Sequence, residues 1–245
     1  MFSKHEIKFK DNLFEELANS AKFEQLGKGR QGTVLTRVQN NIIPIVRTTT
    51  KYNIPSQHFK QVHCDIIDKI NGVFKEKQNL YFNNALIEIY NKDYTTMGEH
   101  SDIALDLDLD SYICLFSCYN NAETKDIRSL KIKNKLTNEL SEIKLTHNSI
   151  VLFSVETNSN YLHKIVLDNM KTNDIWLGLT FRLSKTFIQF INEIPYFYKT
   201  DKILKIANEE ETKEFYSLRR KENKSIGFEY PELNYTISQS DMVYV

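Results

Sequence analysis

The sequence predicts a mainly β fold with flanking helices, and two observations carry that prediction. Between residues 80 and 182, eight short β-like runs follow one another, separated by turns that carry Asn, Asp, Ser and Gly. Apolar residues at helical spacing precede this region, and a further helical stretch follows it. About eight strands at this spacing suit a double-stranded β-helix, a cupin-like jelly roll of two Greek keys.

Residues 10–24 are expected to form a helix, with Leu13, Leu17 and Ala21 on one face. Residues 27–52 are mixed and strand-like. Pro55 and Ser56 then open a second helix over 57–74, with Phe59, Val62, Ile66 and Ile70 on its apolar face. Strands are expected at 80–90, 103–108, 111–119, 127–133, 141–146, 149–155, 162–167 and 175–182. An apolar stretch runs from Arg182 to Tyr198, a helix is expected over 201–221, and the tail 225–245 has little periodicity. There is no internal repeat and no linker. The organisation expected is an N-terminal helical and strand extension (1–78), a jelly-roll core (79–200) and a C-terminal helix and tail (201–245).

The chain has 245 residues, 41% hydrophobic and 12% aromatic, enough to fill a sizeable core. Lys+Arg and Asp+Glu both number 32, so the formal charge is zero. That balance argues against coating nucleic acid by charge alone and leaves a local basic groove open. Arg30, Arg37, Arg47, Lys51 and Tyr52 could form a rim for a flipped base, and Arg219, Arg220 and Lys221 make a second cluster. An ordinary solvated face is the preferred reading of both. Cys64, Cys114 and Cys118 form no disulfide-rich pattern, which points to a reducing compartment. Cys114 and Cys118 are expected to be buried on one side of a strand. The N-terminus lacks a signal-type apolar segment, and no stretch approaches the ~20 apolar residues of a membrane span, so an intracellular, soluble protein is expected.

The chemistry centres on His100-Ser101-Asp102. In an extended segment, residues two apart face one side, so His100 and Asp102 can address one ion. His163 lies in the apolar run Tyr161-Leu162-His163-Lys164-Ile165-Val166, read as a later strand that a jelly roll can bring opposite. Two histidines and one carboxylate hold one face of non-haem Fe(II) and leave the other open. His147, in the turn Thr146-His147-Asn148-Ser149, ranks below His163 as third ligand. His5, His58 and His63 lie outside the β region. Arg182 ends Trp176-Leu177-Gly178-Leu179-Thr180-Phe181-Arg182, and with Ser184 it offers a guanidinium and a hydroxyl to a carboxylate. Tyr90 could donate a second hydrogen bond to that carboxylate, or serve as a core aromatic.

These motifs resemble those of the Fe(II)/2-oxoglutarate-dependent dioxygenases, most nearly the AlkB-like branch. The run from Tyr90 through Gly98 to His100-Ser101-Asp102, the His163-Lys164-Ile165 segment and Leu179-Thr180-Phe181-Arg182 carry the resemblance, which covers roughly 80–185. It implies Fe(II) on His100, Asp102 and His163, and 2-oxoglutarate held by Arg182 with Tyr90 assisting. It also implies use of O2 in hydroxylation or demethylation, with release of succinate and CO2. Two positions depart from the branch. Trp176 stands where it has a second arginine, and Glu88 where it has asparagine. One co-substrate carboxylate therefore lacks its expected partner, for which Lys164 and Lys185 are the replacements considered. The prime substrate and oligomeric state are not specified. A nucleic-acid N-dealkylase, a protein or small-molecule hydroxylase, and a jelly-roll binding module without turnover are the competing functions.

Two decoys fail. Gly27-Lys28-Gly29-Arg30-Gln31-Gly32-Thr33-Val34 fits the glycine loop of protein kinases, yet H-R-D and D-F-G are missing. A flexible loop between a helix and a strand explains these glycines. Asp106-Leu107-Asp108-Leu109-Asp110 lacks the glycine and glutamate of a calcium loop and reads as a strand at the rim of the iron pocket.

Overall fold

A computed structural model describes residues 1–77, 80–168 and 171–245. In chain order the elements are β1 (Ser3–Glu6), α1 (Phe14–Ala18), β2 (Glu24–Gly27), β3 (Arg30–Thr36), β4 (Ile42–Pro44), β5 (Gln57–His58) and α2 (Gln61–Val73). Then follow β6 (Asn84–Tyr90), β7 (Tyr112–Tyr119), β8 (Ser129–Asn134), β9 (Leu140–Lys144), β10 (Ser149–Ser154), α3 (Val155–Asn160), β11 (Tyr161–Val166) and β12 (Trp176–Arg182). The chain closes with β13 (Phe187–Ile191), β14 (Ile194–Phe197), β15 (Lys205–Ile206), α4 (Glu209–Lys224), β16 (Tyr235–Thr236) and a 3₁₀ turn at Gln239–Met242.

The main sheet has the order β1-β10-β7-β12-β6-β3-β2, with β5 beside β3. A smaller sheet runs β11-β8-β9, and the segment around His100 extends its β11 edge through a bridge to His163. From β6 to β12 the chain passes between the two sheets in the winding of a double-stranded β-helix. The expected jelly roll is thus the observed architecture.

Strand alternation explains the layers. In β12, Leu177, Leu179 and Phe181 face one side and join Cys114, Phe116, Cys118, Ile150 and Leu152 against Ile66 and Ile70 of α2. Trp176, Gly178, Thr180 and Arg182 face the other side and line a cavity between the sheets. A second core, with Leu115, Val151, Phe153, Leu130, Ile132 and Ile165, closes one end of that gap. Helix α4 packs Phe215 and Leu218 against Ile103, Leu233 and Tyr235.

Several local expectations are corrected. The first helix covers Phe14–Ala18 rather than 10–24. Asn12 Oδ1 accepts from the Phe14 amide, and Ser20 Oγ donates to Leu17 O, so short polar side chains close the helix at both ends. The second helix starts at Gln61, because 57–58 pair with β3 instead. The last begins at Glu209 rather than 201, where Asn208 and Glu211 form a reciprocal capping box. The kinase-like glycines form the β2–β3 hairpin, not a flexible loop. Gly29 sits at φ +74°, where a Cβ would strike Asn91 and the backbone at Asp93–Tyr94. Residues 103–108 form no strand. Asp106 is wholly buried and paired with Arg47 at 2.7 Å, while Asp108 accepts from the Asp110 amide, so these carboxylates fold a turn. The apolar stretch after Arg182 is the β13–β14 hairpin. The expected boundary at 78/79 lies outside the described residues. No helix is long and apolar enough to cross a membrane among the described residues.

His63, wholly buried in α2, receives the Lys60 amide on Nδ1 at 2.9 Å and reaches Ser20 Oγ with Nε2 at 3.0 Å. Burial, assisted by the Lys60 charge, lowers its pKa to about 4. The unfolded chain, with a pKa near ~6.5, therefore binds the proton first as pH falls. His63 contributes its stability above that value and loses it towards pH 4, on the order of 3 kcal/mol. In urea unfolding, His63→Gln is expected to narrow the stability difference between pH 7 and pH 4.5. An unchanged difference would show that His63 does not carry the acid sensitivity.

Candidate metal centre and co-substrate cavity

The segment before β7 presents its residues alternately. His100 and Asp102 face the cavity, while Ser101 turns away and donates from Oγ to Tyr161 O at 2.9 Å. His100 and His163 exchange backbone hydrogen bonds of 3.0 and 2.7 Å, which fixes the H-x-D segment alongside β11. One ligand atom from each of His100, Asp102 and His163 lies within 4.8 Å of the others. Asp102 Oδ1 stands 3.7 Å from His100 Nε2 and 3.5 Å from His163 Nε2. Ligands bound at ~2.0–2.2 Å on adjacent octahedral positions stand roughly 3 Å apart, so small side-chain shifts would close this set around an ion.

The surroundings orient each ligand. His100 Nδ1 lies 2.9 Å from Gly98 O, an arrangement that makes Nδ1 the protonated nitrogen and leaves Nε2 for a metal. Loss of water around the ring, together with His163, lowers the His100 pKa to about 3 against the pull of Asp102. Burial alone would raise the Asp102 pKa, but Arg182, then His163 and His100, hold it well below the usual carboxylate range. Arg182 Nε and Nη2 both donate to Asp102 Oδ2, at 2.9 and 2.7 Å. Asp102 thus offers one oxygen to the histidines and the other to Arg182.

Residues that sequence reasoning missed complete the clamp. Asn158, fully buried in α3, accepts from the Asp102 amide at 2.7 Å and donates to the Asp102 carbonyl at 2.8 Å. From α4, Asn223 Oδ1 accepts from the Ser101 amide, and Arg219 donates to Ser101 O while pairing with Glu222. Arg219 is therefore part of this support rather than of a surface basic cluster. No local motif announces Asn158 or Asn223, because their partners are 56 and 122 residues away.

The cavity encloses about 660 Å³ and is lined by the triad, Arg182, Tyr90, Trp176, Thr180, Arg30 and Glu88, among others. Tyr90 Oη donates to Glu88 Oε2 at 2.7 Å, and its ring stacks on Trp176 with centroids 4.8 Å apart. The indole lies over Gly178, where any Cβ would collide with it. Three expectations change. Ser184 does not face this cavity; it is buried with Oγ against the carbonyls of Ile45, Asp106 and Thr186. Lys164 pairs with Glu99 at 3.0 Å, and Lys185 lines a different cavity. The N-terminal basic residues do not form one rim, since Arg47 is buried on Asp106 and Tyr52 is buried as well. His147 receives the Tyr119 amide and stands apart from the triad.

Buried polar atoms left without a hydrogen-bond partner test what the cavity suits. They include His163 Nδ1, Arg182 Nη1 and Trp176 Nε1. Buried donors are rarely left unpaired, so the last two fit an acceptor-rich ligand such as a carboxylate. The two imidazoles and one carboxylate fit Fe(II) with open positions.

The solved structures to which the chain is similar include two oxygenase-type proteins by name, OsALKBH1 and a prolyl-4-hydroxylase. The structure of OsALKBH1 shares 14% identity over 66% of this chain and 83% of that chain, with a TM-score of 0.43. A Pseudomonas putida prolyl-4-hydroxylase shares 11% over 74% of this chain and 92% of that one, with a TM-score of 0.44. No family model and no curated protein matches the chain. The jelly-roll assignment stands on the strand order itself.

Asn158→Ala removes both hydrogen bonds that fix Asp102 and is expected to weaken binding of Co(II), a spectroscopic probe for the site, roughly 10- to 100-fold. Absorption titration would measure this, with the exposed His5→Ala as control. Equal affinity in Asn158→Ala and wild type would remove Asn158 from the ligand support.

Proposed function

We propose that this protein is an Fe(II)- and 2-oxoglutarate-dependent dioxygenase. The observation that carries the reading is the convergence of His100, Asp102 and His163 beside Arg182, whose Nη1 is buried without a partner in the same cavity. With iron and 2-oxoglutarate bound, the overall chemistry is R–H + 2-oxoglutarate + O2 giving R–OH + succinate + CO2, and hydroxylation of an N-methyl group ends in demethylation. The chain's own part is positional. His100, Asp102 and His163 would hold the ion on one side, leaving adjacent positions for the 2-oxo acid and O2. Arg182 would place the carboxylate at the metal end while keeping Asp102 ionised. Leu115, Leu130 and Ile165 would shield the cavity from water.

Charge supports a dianionic co-substrate. Among the described lining residues, Arg30, Arg182 and Arg219 are balanced by Glu88, Glu99 and Asp102. A divalent ion would leave an excess of two positive charges, which a dicarboxylate neutralises. For the prime substrate, a protein or small-molecule C–H bond is the preferred reading over nucleic acid. Arg47, counted earlier towards the rim, and Arg219, counted towards the second basic cluster, are used inside the fold.

Mixing the protein anaerobically with Fe(II) and 2-oxoglutarate is expected to produce a visible charge-transfer band, and admitting O2 to yield succinate. His100→Ala should abolish the band. No band in wild type, or an undiminished band in His100→Ala, would overturn the reading. A band without succinate across a panel of methylated oligonucleotides, peptides and small molecules would favour a binding module.

A further inference from the structure

We propose that Arg30 supplies the cation that β12 lacks and holds the distal carboxylate of the 2-oxo dicarboxylate. This inference rests on the oxygenase reading above. Position is its first support. Arg30, Tyr90 and Trp176 form one lateral row across β3, β6 and β12. Trp176 stands where the sequence resemblance calls for arginine. Arg30 occupies the same row two strands away, roughly 10 Å in backbone terms at the usual strand spacing. Its Nε and Nη2 meet Glu88 Oε1 at 2.8 and 2.5 Å. Glu88 is in register with Gly178, one inward-facing position nearer Arg182, so this pairing turns the guanidinium towards the metal end.

The second support is the set of groups around it. Arg30 lines the same cavity as Arg182 and the triad. Trp176 Nε1 is buried without a partner in the row that carries Arg30, as Arg182 Nη1 is at the far end of β12. A ligand with a carboxylate at each end would satisfy donors at both. The third support is elimination, since Lys164 and Lys185 line other cavities and Arg219 is used on Glu222 and the Ser101 carbonyl.

Glu88 then has a stated task. It accepts from Arg30 on Oε1 and from Tyr90 Oη on Oε2, so it fixes the direction of the guanidinium. Arg30 Nη1 takes no part in that pair. Glu88 is thus a positioning residue, and Arg30 is the group that touches the ligand.

The test is anaerobic titration of the Fe(II) protein with 2-oxoglutarate and with pyruvate, which keeps the 2-oxo acid and lacks the distal carboxylate. Arg30→Gln is expected to weaken 2-oxoglutarate binding roughly 10- to 100-fold, as for loss of a charge-assisted pair, and to leave pyruvate binding unchanged. Arg30→Lys should recover part of the loss, because it keeps the charge without the fork. Arg30→Gln with Glu88→Gln removes both charges together and guards against a folding defect from an unpaired Glu88; it should show the same selective loss. Absence of any band in wild type would sink the oxygenase reading itself. A wild-type band with equal 2-oxoglutarate affinity in the variants, or equal losses for both acids, would overturn the assignment of Arg30 alone.

Discussion

The buried pair between Asp102 and Arg182 is the contact on which the rest of the site depends. Asp102 belongs to the segment that edges the smaller sheet, and Arg182 ends β12 in the main sheet, so the pair ties the two sheets at the mouth of the jelly roll. Both side chains are 7% exposed. Removing water from two charges is expensive, and attraction offsets it only where the remaining atoms are also satisfied. Asp102 meets that condition through both oxygens and both backbone groups. Arg182 does not, because Nη1 is left over.

Around this pair the inner face of the main sheet is graded along β12. Arg182 and Thr180 are polar, Gly178 is bare, and Trp176 folds back over the glycine against Tyr90. The indole and Gly178 are one device, since the flat ring can lie on the sheet only where no Cβ projects. The indole at position 176 thus builds an apolar wall along this part of the cavity.

The parts of this arrangement legible in the sequence were those governed by local periodicity. Alternation in Trp176–Arg182 and in Tyr112–Tyr119 defined strands and faces, and His100-x-Asp102 signalled two ligands on one side. Polarity alternation misled at Asp106–Asp110, where the carboxylates satisfy a buried arginine and turn amides instead of facing solvent. Arg182 and Ser184 looked like a pair by the same rule, but β12 ends at Arg182 and the chain turns before Ser184. The Asn208–Glu211 box was readable and shows why the last helix starts late. Asn158, Asn223 and the Arg30–Glu88 pair were not readable, because each depends on a partner distant in sequence whose approach the winding of the sheets decides.

That dependence alters how the chain termini should be understood. The N-terminal strands β1, β2 and β3 extend the main sheet, and β3 brings Arg30 to the cavity. Arg47 anchors Asp106 and also donates to the carbonyls of Leu233 and Tyr235, so residues from the first, middle and last parts of the chain share one buried network. Helix α4 then reaches back to Ser101 through Arg219 and Asn223. The H-x-D segment, which belongs to no regular strand, is consequently held by α3 on one side and by α4 on the other. A jelly roll alone would bring His100 and His163 together, but the angle at which Asp102 meets them is set by helices α3 and α4 rather than by the strands.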